Sequence, residues 1–249
     1  MYEDLDRPAL RERALQRALE PDGWRVEVVG SLRSTNEAVA ARAAEPAGLV
    51  IVAEHQSAGR GRLDRSWVSP PRAGLTFSVL LRPALPAAEL GWLPLLSGLA
   101  VAQAVREVCA LTAELKWPND ILVDGRKICG VLAASPSAGT VVVGIGLNVT
   151  TRADELPDER AGSLHLAGAS TTDRGTLLRA VLRSLRRALD DTVGAAARYR
   201  ELCGTVGRQV RLELPDGRTV TGTAERVDDT GRLVVGEIAY TAGDVVHLR

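Results

Sequence analysis

This chain has little of what reactive sites usually draw on. Lysine is nearly missing: of 31 basic residues only Lys116 and Lys127 are lysines, and the rest are arginines. There are three cysteines, Cys109, Cys129 and Cys203, and no Cys-x-x-Cys pair. An odd, scattered set offers no disulfide framework and points to a reducing compartment, the cytoplasm. Histidine is as scarce, at His55, His165 and His247, so no protein-only metal site is expected. The start, Met-Tyr-Glu-Asp, lacks the basic and apolar regions of a signal peptide. The longest apolar region, residues 90–105, is interrupted by Pro94 and Ser97 and is too short to span a bilayer, so no membrane partner is expected. Nor does one charge dominate: 31 basic residues face 31 acidic ones. That balance argues against a polyanion-binding surface or a basic tail.

What basic charge there is gathers locally. Gly59-Arg60-Gly61-Arg62-Leu63-Asp64-Arg65-Ser66-Trp67 holds three arginines, two glycines and a tryptophan. Glycines let backbone approach a ligand. Arginines offer forked donors for carboxylate or phosphate. Tryptophan offers a flat face for a ring. The stretch reads as a loop for an anionic, partly aromatic ligand such as a nucleotide; an exposed basic loop is the plainer reading. It is no Walker loop, since Gly-Lys-Ser/Thr is absent, and no dinucleotide fingerprint, since no helix follows.

A second motif is Lys116-Trp117-Pro118-Asn119-Asp120. Pro118 ends a strand and holds Trp117 extended, so Asn119 and Asp120 project from a fixed bend, although the same residues also make an ordinary turn. Lys127 follows on the return strand of a hairpin, which could place it near Asp120. Arginine cannot replace a compact ammonium where geometry is tight, so both lysines are candidates for chemistry. Ser34-Thr35-Asn36 is explained by a helix cap. The glycines of Gly144-Ile145-Gly146-Leu147-Asn148-Val149 allow close packing against a strand, by protein or by ligand. Gln56 follows the strand that feeds the arginine loop and could face the same pocket, whereas His55 reads as structural.

The 249 residues suffice for one large domain plus a small one. Patterning predicts helices over 6–20, with Asp6 as cap and Pro8 in the first turn, then over 37–44, 89–109, 173–189 and 195–202. It predicts strands over 24–29, 49–54, 74–82, 114–117, 120–123, 127–134 and 140–149, with Asp124-Gly125 as a hairpin turn. After Gly204, five short strands with turn signals suggest a small barrel. The expected fold is α+β: a mixed sheet flanked by helices in a catalytic domain over 1–203, and a small domain over 204–249.

The order of these motifs resembles the biotin–protein ligases: Ser34-Thr35-Asn36, Gln56-x-x-Gly59-Arg60-Gly61-Arg62, Arg65-x-Trp67, Lys116-Trp117-Pro118-Asn119-Asp120, Lys127-x-x-Gly130 and Gly144-x-Gly146-x-Asn148-Val149. Each is weak alone; together they are specific. The resemblance spans residues 26–150, and the small barrel, SH3-like in that family, extends it. It implies activation of biotin by ATP with Mg2+, giving biotinyl-5′-adenylate, and transfer to one lysine of a biotin carboxyl carrier protein. It assigns biotin to Ser34, Thr35, Asn36, Gln56, Gly59, Arg60, Gly61, Gly130 and Gly144. It assigns the nucleotide to Arg62, Arg65, Trp67, Asn119, Lys127 and Asn148, with Trp67 stacked near adenine and Asn148 at its edge. Arg62, Lys127 and Asp120 would be catalytic, Asp120 by orienting or deprotonating the attacking amine. A lipoate or octanoate ligase, and a biotin- or nucleotide-sensing module without turnover, are the rival readings. Asp64 departs from the family pattern, standing where a third loop glycine is usual; it could keep the turn or hold Arg62 or Arg65. With only about 25 residues before the first strand, no winged helix is expected, and hence no DNA partner. A monomer or weak homodimer is expected.

Overall fold

The computed structural model describes residues 7–62 and 65–248. In chain order it contains α1 (Glu12–Leu19), β1 (Arg25–Val29), α2 (Thr35–Ala40), β2 (Leu49–Ala53), β3 (Gly59–Arg60), β4 (Ser66–Trp67), β5 (Gly74–Leu81), α3 (Trp92–Cys109), β6 (Ala113–Lys116), β7 (Asp120–Val123), β8 (Arg126–Ser137), β9 (Thr140–Asn148), α4 (Arg174–Asp190) and α5 (Thr192–Leu202). Five strands close the chain: β10 (Gln209–Glu213), β11 (Thr219–Val227), β12 (Leu233–Val235), β13 (Ile238–Tyr240) and β14 (Asp244–His247).

The large sheet has the order β1-β2-β5-β9-β8-β7-β6. Only β1 and β2 run parallel and every other neighbouring pair is antiparallel, so the sheet is mixed, as expected. Side chains alternate across it with period two. Leu75, Phe77, Val79 and Leu81 of β5, Val141, Val143, Ile145 and Leu147 of β9, and Cys129 and Val131 of β8 join one core with Leu15, Leu19, the apolar length of α3 and Leu177, Leu178, Val181 and Leu185 of α4. The intervening positions, Ser78, Gly130, Gly144, Gly146 and Asn148, therefore belong to the other face. On that face α2 covers one end, where Val39 packs with Leu49, Ile51, Leu80 and Val142. The rest of the face is left for the site.

Local chemistry sets the element ends. Asp173 caps α4 by accepting from the Thr176 N–H at 2.6 Å. Asp124 (φ +50°) and Gly125 (φ +74°) turn β7 into β8, the left-handed pair that an Asp-Gly hairpin supplies. Three expectations need correction. α1 starts at Glu12 with Arg11 before it, so Pro8 precedes the helix; the expected cap Asp6 lies outside the described residues, as does Asp64. α2 starts at Thr35 and ends at Ala40, and the Ser34 side chain makes no cap bond. The arginine loop is not wholly irregular, because β3 and β4 pair within it, Gly59 opposite Trp67 and Arg60 opposite Ser66.

The last five strands form an antiparallel sheet, β13-β12-β11-β10-β14, of SH3-like type. It is fastened to the rest by tryptophans: the Trp92 indole donates to Asp229 O at 2.8 Å and the Trp117 indole to Gly231 O at 3.1 Å. Arg200 adds a bond to Val227 O at 2.8 Å. Val210, Leu212, Ala224 and Leu233 share the main hydrophobic core.

Candidate functional site

The open part of the sheet floors a cavity of about 720 Å³, within the usual size range of small-molecule sites. Three segments far apart in sequence wall it. The arginine loop brings Arg60, Arg62, Arg65 and Trp67; the β6–β8 region brings Lys116, Asn119, Asp120 and Lys127; the SH3-like sheet brings Asp244 and His247. The loop arginines and the hairpin ammonium thus share one space.

At one end lies a polar cluster. Ser34 is buried and extended. Gln56 Oε1 accepts from the Thr35 N–H at 2.7 Å, doing what the Ser34 side chain does not. Ser78 Oγ, from β5, hydrogen-bonds Thr35 Oγ1 at 2.7 Å and Asn36 Oδ1 at 2.5 Å, and Asn36 Nδ2 donates to Leu132 O at 3.2 Å. Donors and acceptors are therefore fixed side by side, as recognition of a small polar ring requires. Gly144 lies under Asn36, and any Cβ there would collide with the Asn36 amide.

The loop is closed by backbone. Gly61 N–H donates to Arg65 O at 2.5 Å, and a Cβ on Gly59 would run into Trp67 O and stand 2.8 Å from Gln56 Nε2. Arg60 turns outward to Glu37 at 2.7 Å. Arg62 turns inward: it donates to Asn119 Oδ1 and to Gly243 O, each at 3.2 Å, and burial holds its guanidinium pKa below the ordinary value. Arg65 pairs with Asp244. The Trp67 ring lies on the glycines of β8 and β9: a Cβ on Gly146 would be 2.5 Å from Trp67 Cε2, and one on Gly130 would be 3.3 Å from Trp67 Cζ3. Its indole nitrogen is buried with no hydrogen-bond partner among the described residues.

The second motif faces two ways. Trp117 is buried and reaches into the SH3-like sheet, with its N–H donating to Thr205 Oγ1 at 3.1 Å and a cis bond to Pro118. Asn119 Nδ2 donates to Val131 O at 3.1 Å, which aims its carbonyl oxygen at Arg62. Asp120 sits opposite Gly130 in the register, and a shift at Ile121/Leu122 sets Lys127 opposite Leu122. From there the Lys127 side chain reaches back, placing Nζ 2.7 Å from Asp120 Oδ1 and 5.8 Å from the Trp67 ring centre. The segment after β9 steadies it: Lys127 N–H donates to Arg160 O at 2.7 Å and Gly162 N–H to Lys127 O at 2.8 Å. Asn148 Nδ2 donates to Gly162 O at 2.9 Å, so its oxygen is left on the cavity side. Burial also lowers the Lys116 pKa, against the pull of Asp120.

Of the residues assigned to biotin, nucleotide or catalysis, all but Gly59 line this cavity, and Gly59 lies next to Arg60 in the same loop. Trp117 points away from it, and Asp64 lies outside the described residues. Sequence reasoning missed Asp244, His247, Arg160 and Ser78, none of which sits in a motif. It quoted Gly146 without a site role, and named Lys116 as a candidate for chemistry without assigning it to either ligand. The cysteines take no part. All three are buried and free, and burial raises each thiol pKa, that of Cys109 to about 11.

Comparison with known proteins agrees with this geometry. Residues 28–149 match the biotin/lipoate A/B protein ligase family model, and 205–248 match the biotin protein ligase C-terminal domain. The chain is 43% identical to the biotin–[acetyl-CoA-carboxylase] ligase of Mycobacterium tuberculosis, over 98% of this chain and 97% of that one. It is 34% identical to the bifunctional ligase/repressor BirA of Escherichia coli, over 92% of this chain and 75% of that protein. In fold it is similar to the biotin protein ligase of Aquifex aeolicus solved in complex with biotin and ATP, with TM-score 0.74, 28% identity, and coverage of 90% of this chain and 98% of that one. Motif order, mixed sheet, C-terminal SH3-like sheet and near full-length similarity converge, and the chain belongs to the biotin protein ligase family.

Proposed function

We propose that this cavity seats biotin and ATP together, forms biotinyl-5′-adenylate, and passes the biotinyl group to a lysine of a biotin carboxyl carrier protein. The observation that carries this is the meeting of Arg62, Arg65, Lys116 and Lys127 in one cavity. A carboxylate and a phosphate at 4 Å repel by about 4 kcal/mol at an effective dielectric of 20. Cations placed between them remove that repulsion and stabilise charge gathering at phosphorus.

In the first step a biotin carboxylate oxygen attacks the α-phosphorus, and the bond to the β-phosphate oxygen breaks to release pyrophosphate. Lys127 contacts the carboxylate and the α-phosphate; Arg62 and Arg65 hold the phosphates, with Asn119 orienting Arg62. The Thr35, Asn36 and Gln56 cluster, with Ser34 and the backbone of Gly59, Arg60 and Gly61, reads the polar ring of biotin, whose other ring lies toward Gly130 and Gly144. Trp67 and Asn148 flank the adenine. Mg2+ enters with ATP as part of the substrate. Among the described residues no group of three or more His, Cys, Asp or Glu side chains is arranged to hold a metal.

In the second step the carrier amine attacks the acyl carbon and AMP leaves. The amine must first lose its proton, since a free lysine titrates near 10.4. Asp120 accepts it once Lys127 has moved to the substrate anion.

The boundary between the two domains falls at 203/204, supported by the separate C-terminal match over 205–248. No helix among the described residues is long and apolar enough to cross a membrane; the reading places the enzyme in the cytoplasm, as a monomer or weak homodimer without a DNA partner. The experiment is exchange of labelled pyrophosphate into ATP, with and without biotin. Biotin-dependent exchange supports the reading. Exchange supported equally by lipoate, or biotin binding without exchange, would replace it.

A further inference from the structure

The SH3-like sheet supplies one carboxylate to the cavity. Asp244 opens β14, where its backbone pairs with Glu213 of β10. Its side chain leaves that sheet and enters the cavity. One oxygen accepts from the Arg65 guanidinium, and the other lies 4.0 Å from Arg62. The adjacent Gly243 carbonyl accepts from Arg62 at 3.2 Å. Asp244 and Arg62 are each 19% exposed, while Arg65 reaches the same carboxylate from the more open side, at 65% exposed. The other cavity carboxylates have their own cations: Asp120 takes Lys127 and Asp158 takes Arg160. Asp244 alone among these three contacts both Arg62 and Arg65.

Two oxygens held before two guanidiniums reproduce what a phosphate offers them. We infer that Asp244 is a positioning residue that occupies the triphosphate subsite through Arg62 and Arg65 and yields it when ATP enters. This rests on the proposal that the cavity binds ATP. A competing internal anion lowers the apparent affinity for nucleotide by the fraction of molecules in which the arginines are free. It also ties nucleotide entry to the SH3-like sheet, because phosphates that claim Arg62 and Arg65 release two of that sheet's contacts with the loop.

The test uses the full chain in the biotin-dependent pyrophosphate exchange assay at saturating biotin. In Asp244→Asn the competing charge is gone while the shape is kept. The expected result is a fall of roughly threefold to tenfold in KM for ATP and in the inhibition constant of inorganic tripolyphosphate, as release of a partly populated closed state predicts. KM for biotin should stay within about twofold of the parent value, and Asp244→Glu, which restores the anion, should return the ATP values toward it. An unchanged or raised KM for ATP in Asp244→Asn overturns the inference while leaving the ligase reading intact. Absence of exchange in the parent protein removes both. Asp244→Ser guards against a folding artefact. If both neutral variants fail to give a cooperative thermal transition while Asp244→Glu gives one, Asp244 is a structural tie and the inference is wrong.

Discussion

Lys127 Nζ and Asp120 Oδ1 stand 2.7 Å apart, although the hairpin register sets neither residue opposite the other. The pair exists because β8 carries an extra residue, Ile128, between Lys127 and Cys129, and the lysine stem is long enough to run back along Gly130. That stem is tightly held: a Cβ on Gly130 would lie 3.3 Å from Lys127 Cε. One cation thus has two anionic destinations, Asp120 or a substrate, and little room to be anything but slim.

The first prediction follows from that room. A planar guanidinium cannot occupy the volume of a compact ammonium beside Gly130. Lys127→Arg should slow adenylate formation by about 10²–10³-fold despite its retained charge, the scale of losing one transition-state donor. Single-turnover release of pyrophosphate measures it. Normal adenylation would remove the role given to the lysine.

The carboxylate should behave differently. In Asp120→Asn the side chain keeps its shape beside Lys127, but it cannot take a proton from the carrier amine. Adenylate formation should stay within about threefold of the parent, while transfer to the carrier falls about 10²–10⁴-fold, the range of a lost general base. Equal loss in the two half-reactions would show that Asp120 only positions Lys127.

Gly146 tests the floor of the cavity. A methyl group there would stand 2.5 Å from the Trp67 ring, so the indole must leave the sheet. Gly146→Ala should raise KM for ATP more than KM for biotin and cost about 1–3 kcal/mol of stability, as overpacking does. Initial rates and thermal unfolding report the two effects. Equal rises in both KM values would detach Trp67 from the nucleotide.

His247 gives a prediction in pH. Burial, then the charges of Arg208 and Lys116, push its pKa from 6.5 down to about 4. The unfolded chain therefore binds more protons than the folded one between these values, so this group's contribution is present above pH 6.5 and lost as pH falls toward 4. In His247→Gln the loss of stability over that window should be shallower than in the parent, by thermal melts at successive pH. Parallel pH curves would refute the assignment.

Much of this could be read along the chain because it is local. Apolar patterning located β5 and β9, Asp124-Gly125 located the hairpin, and the hairpin put Lys127 within reach of Asp120. What could not be read is what tertiary contact decides. Ser34 makes no cap bond, and the first N–H of α2, that of Thr35, is taken instead by Gln56 Oε1 from another segment. Asp6 and Pro8 offered a helix start at residue 6, yet the apolar face that fixes α1, Leu15 and Leu19, needs only the later turns. Asp244 lies 179 residues from Arg65 and sits in no motif. Only a folded second domain can bring such a residue to the loop.

Trp117 carries a consequence of its own. Only Pro118 and Asn119 separate its indole, plugged into the C-terminal sheet at Gly231, from the Asp120 carboxylate in the cavity. So short a lever leaves no slack: a disturbance anywhere along the seam between the two sheets must reach the reacting groups directly. Damage to the small domain should therefore register as faulty chemistry before it registers as unfolding.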